Sequence, residues 1–144
     1  MTSVKEKLIT IVERFSTLMA EREERSLNNE GSSRLTVRQM YYLNIIAKMD
    51  RPTISQMAER LSVTKPTVTT TVRKFIEEGY LKRIQSEGDR RIFWLELTNR
   101  GRKVIQTYYK IHKDFSHKIC EVLDTREAQE LIKILEKILR KIDS

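Results

Sequence analysis

Several residue types that carry specialised chemistry are scarce in this chain of 144 residues. It has one cysteine, two histidines, two prolines and four glycines. A single cysteine cannot form an internal disulfide, which fits the reducing conditions of the cytoplasm. Four glycines leave little room for a glycine-rich loop that cradles phosphate. These shortages argue against a disulfide-stabilised secreted domain and against a nucleotide-binding loop.

Long apolar runs are also missing. The N-terminal region places Lys5, Glu6 and Lys7 before an amphipathic pattern, whereas a signal peptide has an uninterrupted apolar segment. No stretch approaches the length of a transmembrane helix. We therefore expect a soluble, cytoplasmic protein that does not bind membranes.

The residue patterns of common enzymes and metal sites are absent from the sequence. No Ser-His-Asp, Cys-His or paired-carboxylate arrangement has a helical or loop spacing that would assemble it. His112 and His117 lie about 140° apart around a predicted helix, so they cannot form a metal-binding pair on one face. Cys120 falls in the apolar stripe of the same helix, where a small buried hydrophobe is expected. We expect no enzyme, no cofactor and no metal.

Positive charge is in excess. The chain has 28 lysines and arginines against 20 acidic residues, a formal charge of +8 and a sequence pI near 9.7. Its hydrophobic content of 39% allows only a modest core. The charge favours an anionic partner, such as nucleic acid or an anionic membrane, without identifying it.

The stretch from Ile54 to Ile76 has the pattern of a helix-turn-helix. A first helix is predicted to begin near Ser55, with apolar residues at three- and four-residue spacing. The small side chain of Ala58 permits the close approach of two helices joined by a tight turn. Ser62 and Val63 would form that turn.

A second helix is predicted to follow, with Thr64 as its cap, Pro66 in its first turn and Gly79 at its end. One face is apolar, and the opposite face carries hydroxyls and positive charge. Threonine is a mediocre helix former, so its clustering here calls for another explanation. Short hydroxyls, methyls and cations suit base edges and phosphates in a major groove. The candidate DNA-binding residues on this helix are Lys65, Thr67, Thr69, Thr70, Arg73 and Lys74.

Two short runs after this helix predict a β-hairpin. The strands would cover 81–85 and 91–97, and residues 86–90 would form a charged tip. A helix-turn-helix followed by a hairpin is a winged helix. Asp89 lies close enough to Arg91 to hold its guanidinium group by charge-assisted hydrogen bonds, which would fix a long cation able to enter a narrow minor groove. Arg90, Lys82 and Arg83 are weaker candidates for phosphate contacts.

Two motifs in this region resemble the wing signature of MarR-family transcription regulators. They are Asp89-Arg90-Arg91 and the segment Leu97-Thr98-Asn99-Arg100-Gly101 that closes the second strand. The resemblance covers nearly the whole chain and departs from many helix-turn-helix units at Ser62, where they carry glycine. It implies that Arg91 is the DNA-binding residue of the wing and that Asp89 supports it.

The fold that the resemblance implies is mainly α with a small β-hairpin wing. A winged helix-turn-helix lobe would be joined to a helical dimerisation lobe. The implied function is sequence-specific binding of duplex DNA, with repression of transcription and release by a small-molecule effector. Five aromatic residues are candidates to line an effector pocket, although core packing explains most of them equally well. They are Tyr41, Tyr42, Tyr108, Tyr109 and Trp94.

The terminal regions predict long helices with more apolar surface than a small lobe can cover. Ser3 and Glu6 form a capping-box pattern at the first helix, and either Asp124 or Thr125 caps the last. We expect these helices to pack against each other and against a second copy of the chain, giving a homodimer that binds a pseudo-palindromic operator. The predicted division is 1–34 for an N-terminal dimerisation helix and loop, 35–99 for the DNA-binding lobe and 100–144 for C-terminal dimerisation helices.

Two other functions remain open on the sequence alone. A winged helix can also serve in protein assembly or RNA binding, in which case the basic helix would contact an acidic or single-stranded partner. An enzyme is the weakest alternative, because the catalytic patterns are missing.

Overall fold

The computed structural model describes residues 1–29 and 35–143, and within these ranges it is mainly helical with one two-stranded sheet. The predicted fold class is therefore confirmed. The loop predicted over residues 28–33 starts inside the first helix, and the rest of it lies outside the described residues. The elements are α1 Val4–Asn29, α2 Val37–Met49, α3 Ile54–Leu61, α4 Lys65–Glu77, β1 Leu81–Gln85, β2 Phe93–Leu97, α5 Asn99–Val122 and α6 Thr125–Ile142.

The chain forms two compact units, residues 1–108 and 109–144. This is a division by compactness, and the functional boundaries near residues 34 and 99 stay a prediction. No helix in the described parts of the chain is both long enough and apolar enough to span a membrane.

The core of the first unit lies in the segment from α2 to β2, which we call the winged module. Its largest fully buried side chains include Phe75, Met40, Leu43 and Met57. Tyr80 meets the ring of Phe75 edge to face, with 6.5 Å between the ring centroids. This core holds the outward faces of the module in fixed positions.

Side-chain caps set where the helices begin. Thr36 accepts a hydrogen bond from the backbone N–H of Gln39 at 3.1 Å, and the Gln39 side chain accepts one from the backbone N–H of Thr36 at 3.0 Å. Thr53 and Gln56 form the same reciprocal capping box at 3.1 and 2.9 Å. The predicted start of α3 near Ser55 was therefore slightly late, because Thr53 is the cap.

The terminal helices also begin with capping boxes. At α1 the pair is Ser3 and Glu6, as predicted. At α6 the cap is Asp124, paired with Glu127, which settles the choice between Asp124 and Thr125.

The hairpin pairs Leu81 with Leu97 and Gln85 with Phe93 in antiparallel register. The first strand has its predicted bounds, but the second begins at Phe93 rather than Arg91. The reason is a turn at the tip, closed by a 3.0 Å hydrogen bond from the Ile92 N–H to the Asp89 carbonyl, which takes the two arginines out of the strand.

The junction between the hairpin and α5 requires a glycine. The N–H of Thr98 donates to the Tyr80 carbonyl at 3.1 Å, and the Thr98 hydroxyl accepts from the Gly101 N–H at 3.1 Å, as predicted for the cap of this helix. A Cβ atom at Gly101 would lie far inside van der Waals contact with the Tyr80 carbonyl oxygen. The glycine of the Leu97–Gly101 motif therefore permits a close approach of two backbones.

The second unit exposes its apolar side chains. In the single chain α6 has no buried residue, and Leu135 and Ile138 are about half exposed. Val122 near the end of α5 is 82% exposed, and Cys120 is exposed as well. The expectation that Cys120 is buried was wrong for the single chain, because the apolar stripe to which it belongs is itself uncovered.

Candidate nucleic-acid interface

The turn between α3 and α4 fixes where the second helix starts. Ser62 has φ 54° and ψ 43°, the left-handed conformation that glycine adopts most easily. Its N–H donates to the Glu59 carbonyl at 3.2 Å, and the N–H of Val63 donates to the Ala58 carbonyl at 3.0 Å. The serine thus takes the geometry that glycine has in many such turns, with its backbone donors satisfied.

Helix α4 is anchored by one face and exposes the other. Its N-cap is Thr64, as predicted, and Pro66 stands in the first turn. Val68, Val72 and Phe75 are buried. The predicted DNA-binding residues lie on the other side, where all are exposed except the half-buried Thr69: Lys65, Thr67, Thr69, Thr70, Arg73 and Lys74.

Two further residues share the exposed face of α4. Pro66 and Glu77 are exposed and continue the four-, three- and four-residue spacing through Thr70 and Arg73. The sequence analysis omitted both, although the helical period alone was enough to place them there. Glu77 brings a negative charge to the C-terminal end of an otherwise cationic face.

The threonine hydroxyls on α4 differ in what they can still bind. The Thr70 hydroxyl donates to the Pro66 carbonyl at 3.0 Å, and that of Thr71 donates to the Thr67 carbonyl at 3.2 Å. A hydroxyl that donates to its own helix can still accept a hydrogen bond and offers its methyl group. Among the described residues, no hydrogen-bond partner is present for the Thr69 hydroxyl. Thr69 can therefore donate or accept, whereas Thr70 can accept.

The tip of the wing holds one arginine in place. Asp89 accepts hydrogen bonds from the Arg91 backbone N–H at 3.0 Å, from its Nε at 3.1 Å and from its Nη2 at 3.1 Å. The predicted ion pair is thus present. These bonds to Arg91 lower the pKa of the Asp89 carboxyl group. The Arg91 side chain is nevertheless 90% exposed, so the guanidinium group is oriented at its base and open to solvent.

Other cations of the wing are positioned differently. Arg90 occupies the turn beside Arg91, and its carbonyl accepts a 2.9 Å hydrogen bond from the Gln85 side chain. Lys82 and Arg83 are exposed on β1. The guanidinium carbon of Arg83 lies 4.2 Å from the centroid of the Phe93 ring, a cation–π contact that directs this side chain across the hairpin.

The aromatic residues considered for an effector pocket are not brought together in one cavity of the winged module. Tyr42 is buried, Tyr41 and Tyr109 are exposed, and Trp94 and Tyr108 are half-buried. Burial raises the pKa of the Tyr108 phenol, with smaller contributions from Glu23 and Tyr41.

A cavity of about 430 Å³ lies elsewhere in the first unit and is lined by none of these aromatic residues. Its apolar walls include Ile46 and Leu95, and Arg51, Glu96 and Arg102 supply charge. His112 is half-buried and His117 is exposed. No group of three or more potential metal ligands was found in residues 1–29 and 35–143.

Comparison with known proteins places this geometry in a family. Residues 35–93 match the model of the MarR family. The chain is 27% identical over 98 residues to the HTH-type transcriptional regulator BilQ of Clostridioides difficile, covering 68% of this chain and 66% of that protein. It is 25% identical over 89 residues to the transcriptional repressor MprA of Escherichia coli, covering 62% of this chain and 51% of that protein. The chain thus spans half to two thirds of these relatives' lengths.

Solved structures show the same architecture. Streptococcus pneumoniae FabT, crystallised in complex with DNA, superposes with a TM-score of 0.81 at 26% identity and covers 98% of both chains. A MarR family protein from Bacillus stearothermophilus, at 16% identity and 96% of this chain against 94% of that one, also gives 0.81 and shows the shared fold. These relatives are regulators and not enzymes. The chain belongs to the MarR family of winged helix-turn-helix transcription regulators.

Proposed function

We propose that this chain is a cytoplasmic homodimer that binds specific duplex DNA and represses transcription by occluding a promoter. The observation that carries the proposal is the exposed face of α4, with its hydroxyls and cations, beside a wing arginine that is held at its base and open to solvent. The DNA complex of FabT and the name of the repressor MprA support it.

In the proposed complex α4 enters the major groove. Thr69 and Thr70 contact base edges and thymine methyl groups, so they specify sequence. Thr67, near the N-terminus of α4, is placed at the same groove edge. The cations position the protein on phosphates and do not distinguish sequences. The cations proposed for this role are Lys65, Arg73 and Lys74.

The wing enters the adjacent minor groove. A narrow minor groove has an enhanced negative potential that attracts an inserted guanidinium group, here that of Arg91. Asp89 reduces the conformational entropy that Arg91 loses on binding, because the side chain is already oriented. Arg90 lies beside it in the same turn and contacts phosphate.

The homodimer is proposed to form through the terminal helices. Exposed apolar side chains follow α1 and α6 in the single chain, a surplus that a second copy would remove from water at about 25 cal/mol per Å². Two-fold symmetry would present the two α4 helices to successive major grooves about 10 base pairs apart. The exposed residues include Leu8, Ile11 and Phe15 of α1 and Leu135, Ile138 and Leu139 of α6.

Release by a small-molecule effector is part of the proposal. The 430 Å³ cavity is within the usual size range of ligand pockets. Arg51 in its wall is 3.8 Å from Glu96, so an anionic ligand would compete with this carboxylate. Asp50 and Arg51 both have positive φ, near 53° and 54°, a strained backbone that is able to relax when a ligand binds.

Selection of bound duplexes from a random DNA pool tests the proposed function. We expect an inverted repeat with half-sites about 10 base pairs apart to be enriched. Affinity should fall steeply as salt increases, because phosphate contacts release counterions. No enrichment, or preferential binding of single-stranded RNA, would favour a winged-helix module for RNA binding or protein assembly.

A further inference from the structure

A cleft beside the start of the recognition helix contains two arginines that the contacts of α4 and the wing do not use. It has a volume of about 340 Å³ and lies within the first unit. Its lining residues come from α2, α3 and the turn before α4: Arg38, Tyr41, Tyr42, Arg60, Leu61 and Val63. Val63 directly precedes Thr64, the N-cap of α4, so the cleft adjoins the proposed DNA-binding surface.

Both arginines of the cleft are available to an anion. Arg38 and Arg60 are exposed, and among the described residues neither forms an ion pair with a carboxylate. The guanidinium carbon of Arg38 lies 5.8 Å from the centroid of the buried Tyr42 ring. This cation–π contact limits where the guanidinium group can lie while leaving its N–H donors unused by acidic partners.

The position of Arg38 in its helix is unfavourable for the helix itself. It is the second residue of α2, whose first turn contains no acidic residue. A cation in the first turn opposes the helix macrodipole, which favours negative charge there. A site at which a local rule is broken without compensation within the chain indicates a function outside the chain. The positive end of α2 and two unpaired guanidinium groups together provide a setting for a strongly charged anion.

We propose that Arg38 and Arg60 hold a backbone phosphate of the duplex that flanks the bases read by α4. The inference rests on the proposed DNA binding and adds a phosphate contact to it. The favoured occupant is a phosphate of DNA, because the cleft shares its boundary residue with the α4 N-terminus, which lies next to Lys65. Guanidinium groups match the bidentate geometry of phosphate oxygens. The cleft thereby fixes the register of α4 along the groove without specifying bases.

The test compares Arg38→Gln, Arg60→Gln and the double variant by fluorescence anisotropy of a selected duplex and a scrambled duplex over a range of salt. Each single variant should bind both duplexes about eightfold more weakly at 0.1 M salt and lower the salt slope by about 0.9. Lys48→Gln is the matched control, because it removes the same charge from the last turn of α2. It should leave the slope unchanged, and circular dichroism should show equal folding in all variants.

The other outcomes separate the two proposals. If the arginine variants keep the wild-type affinity and slope while the wild type binds duplex DNA, the phosphate cleft is wrong and the proposed function stands. If the wild type binds no duplex, both are wrong. If titration with inorganic phosphate saturates the wild type, fails with the double variant and DNA binding is unaffected by either substitution, the cleft holds a free anion and not the DNA backbone.

Discussion

The helices of the winged module and the terminal helices begin with the same motif but with different charge. In α2 and α3 the third residue of the capping box is Gln39 or Gln56. In α1 and α6 it is Glu6 or Glu127. Glutamine preserves the reciprocal hydrogen bonds but gives up the favourable interaction of an acid with the helix macrodipole, about 0.3 to 1 kcal/mol. The difference is explained if the winged module faces a polyanion and the terminal helices do not.

Burial separates the same two regions. Helix α2 contains six buried residues, whereas α6 contains none in the single chain. The winged module therefore completes its own core, and its outward faces are polar. The terminal helices leave their apolar faces open, and a second copy would cover them.

The largest expected effect comes from a charge in the exposed apolar face of α6. Leu135→Lys should dissociate the dimer, because burying an unpaired ammonium group costs several kcal/mol. DNA affinity should fall with it, since each monomer reaches only one half-site. Light scattering and DNA titration measure the two effects.

Gln129→Lys is the matched control for this change. It adds the same charge to an exposed position on the polar side of α6 and should leave the dimer intact. A wild type that is already a folded monomer at micromolar concentration would show that the open face of α6 has another purpose.

The next largest effect concerns the wing. Arg91→Ala should weaken DNA binding by about 1 to 3 kcal/mol without unfolding the protein, because the side chain is exposed and contacts only the wing tip. Asp89→Ala should weaken it less, since the cation remains but loses its orientation. Binding curves paired with thermal melts check both, and an Arg91→Ala protein with wild-type affinity would remove the wing from the interface.

Substitutions on α4 should differ in kind more than in size. Thr69→Ala or Thr70→Ala should change which sequences are selected from a random pool. Lys74→Ala should weaken all sequences equally and lower the salt slope by about one unit. If Thr70→Ala selects the same sequences with the same stringency as the wild type, a different face of α4 lies in the groove.

The smallest expected effects test the capping boxes directly. Gln39→Glu should raise the free energy of unfolding by about 0.3 to 1 kcal/mol, because an acid is restored to the first turn, and should weaken DNA binding. Glu127→Gln should lower stability by a similar amount and leave DNA affinity unchanged. Equal DNA affinity for Gln39→Glu and the wild type would mean that the start of α2 does not approach phosphate.

Local patterns explain how far the sequence alone predicted this structure. The apolar period of α4, the bounds of β1 and the pairing of Asp89 with Arg91 depend on residues close together in the chain, and each was correctly predicted. The second strand began too early in the prediction, because the hydrogen bond from Ile92 to Asp89 converts its first residues into a turn.

Contacts between distant residues were beyond the sequence. The need for Gly101 arises from the Tyr80 carbonyl, which folding brings against it. The cleft likewise combines Arg38 with Arg60 from separate helices. The exposure of Cys120 was missed because an apolar stripe predicts burial without saying whether the cover is in the same chain.

Hydrogen–deuterium exchange of the protein with and without a selected duplex tests the contrast between the two regions most directly. DNA should slow exchange in α4 and at the wing tip, residues 86–92, and leave α6 unchanged. In the Leu135→Lys variant without DNA, α1 and α6 should exchange faster than in the wild type, because their cover is lost. Protection of α6 by DNA with no change in α4 would contradict the assignment of the winged module to DNA and of the terminal helices to the dimer.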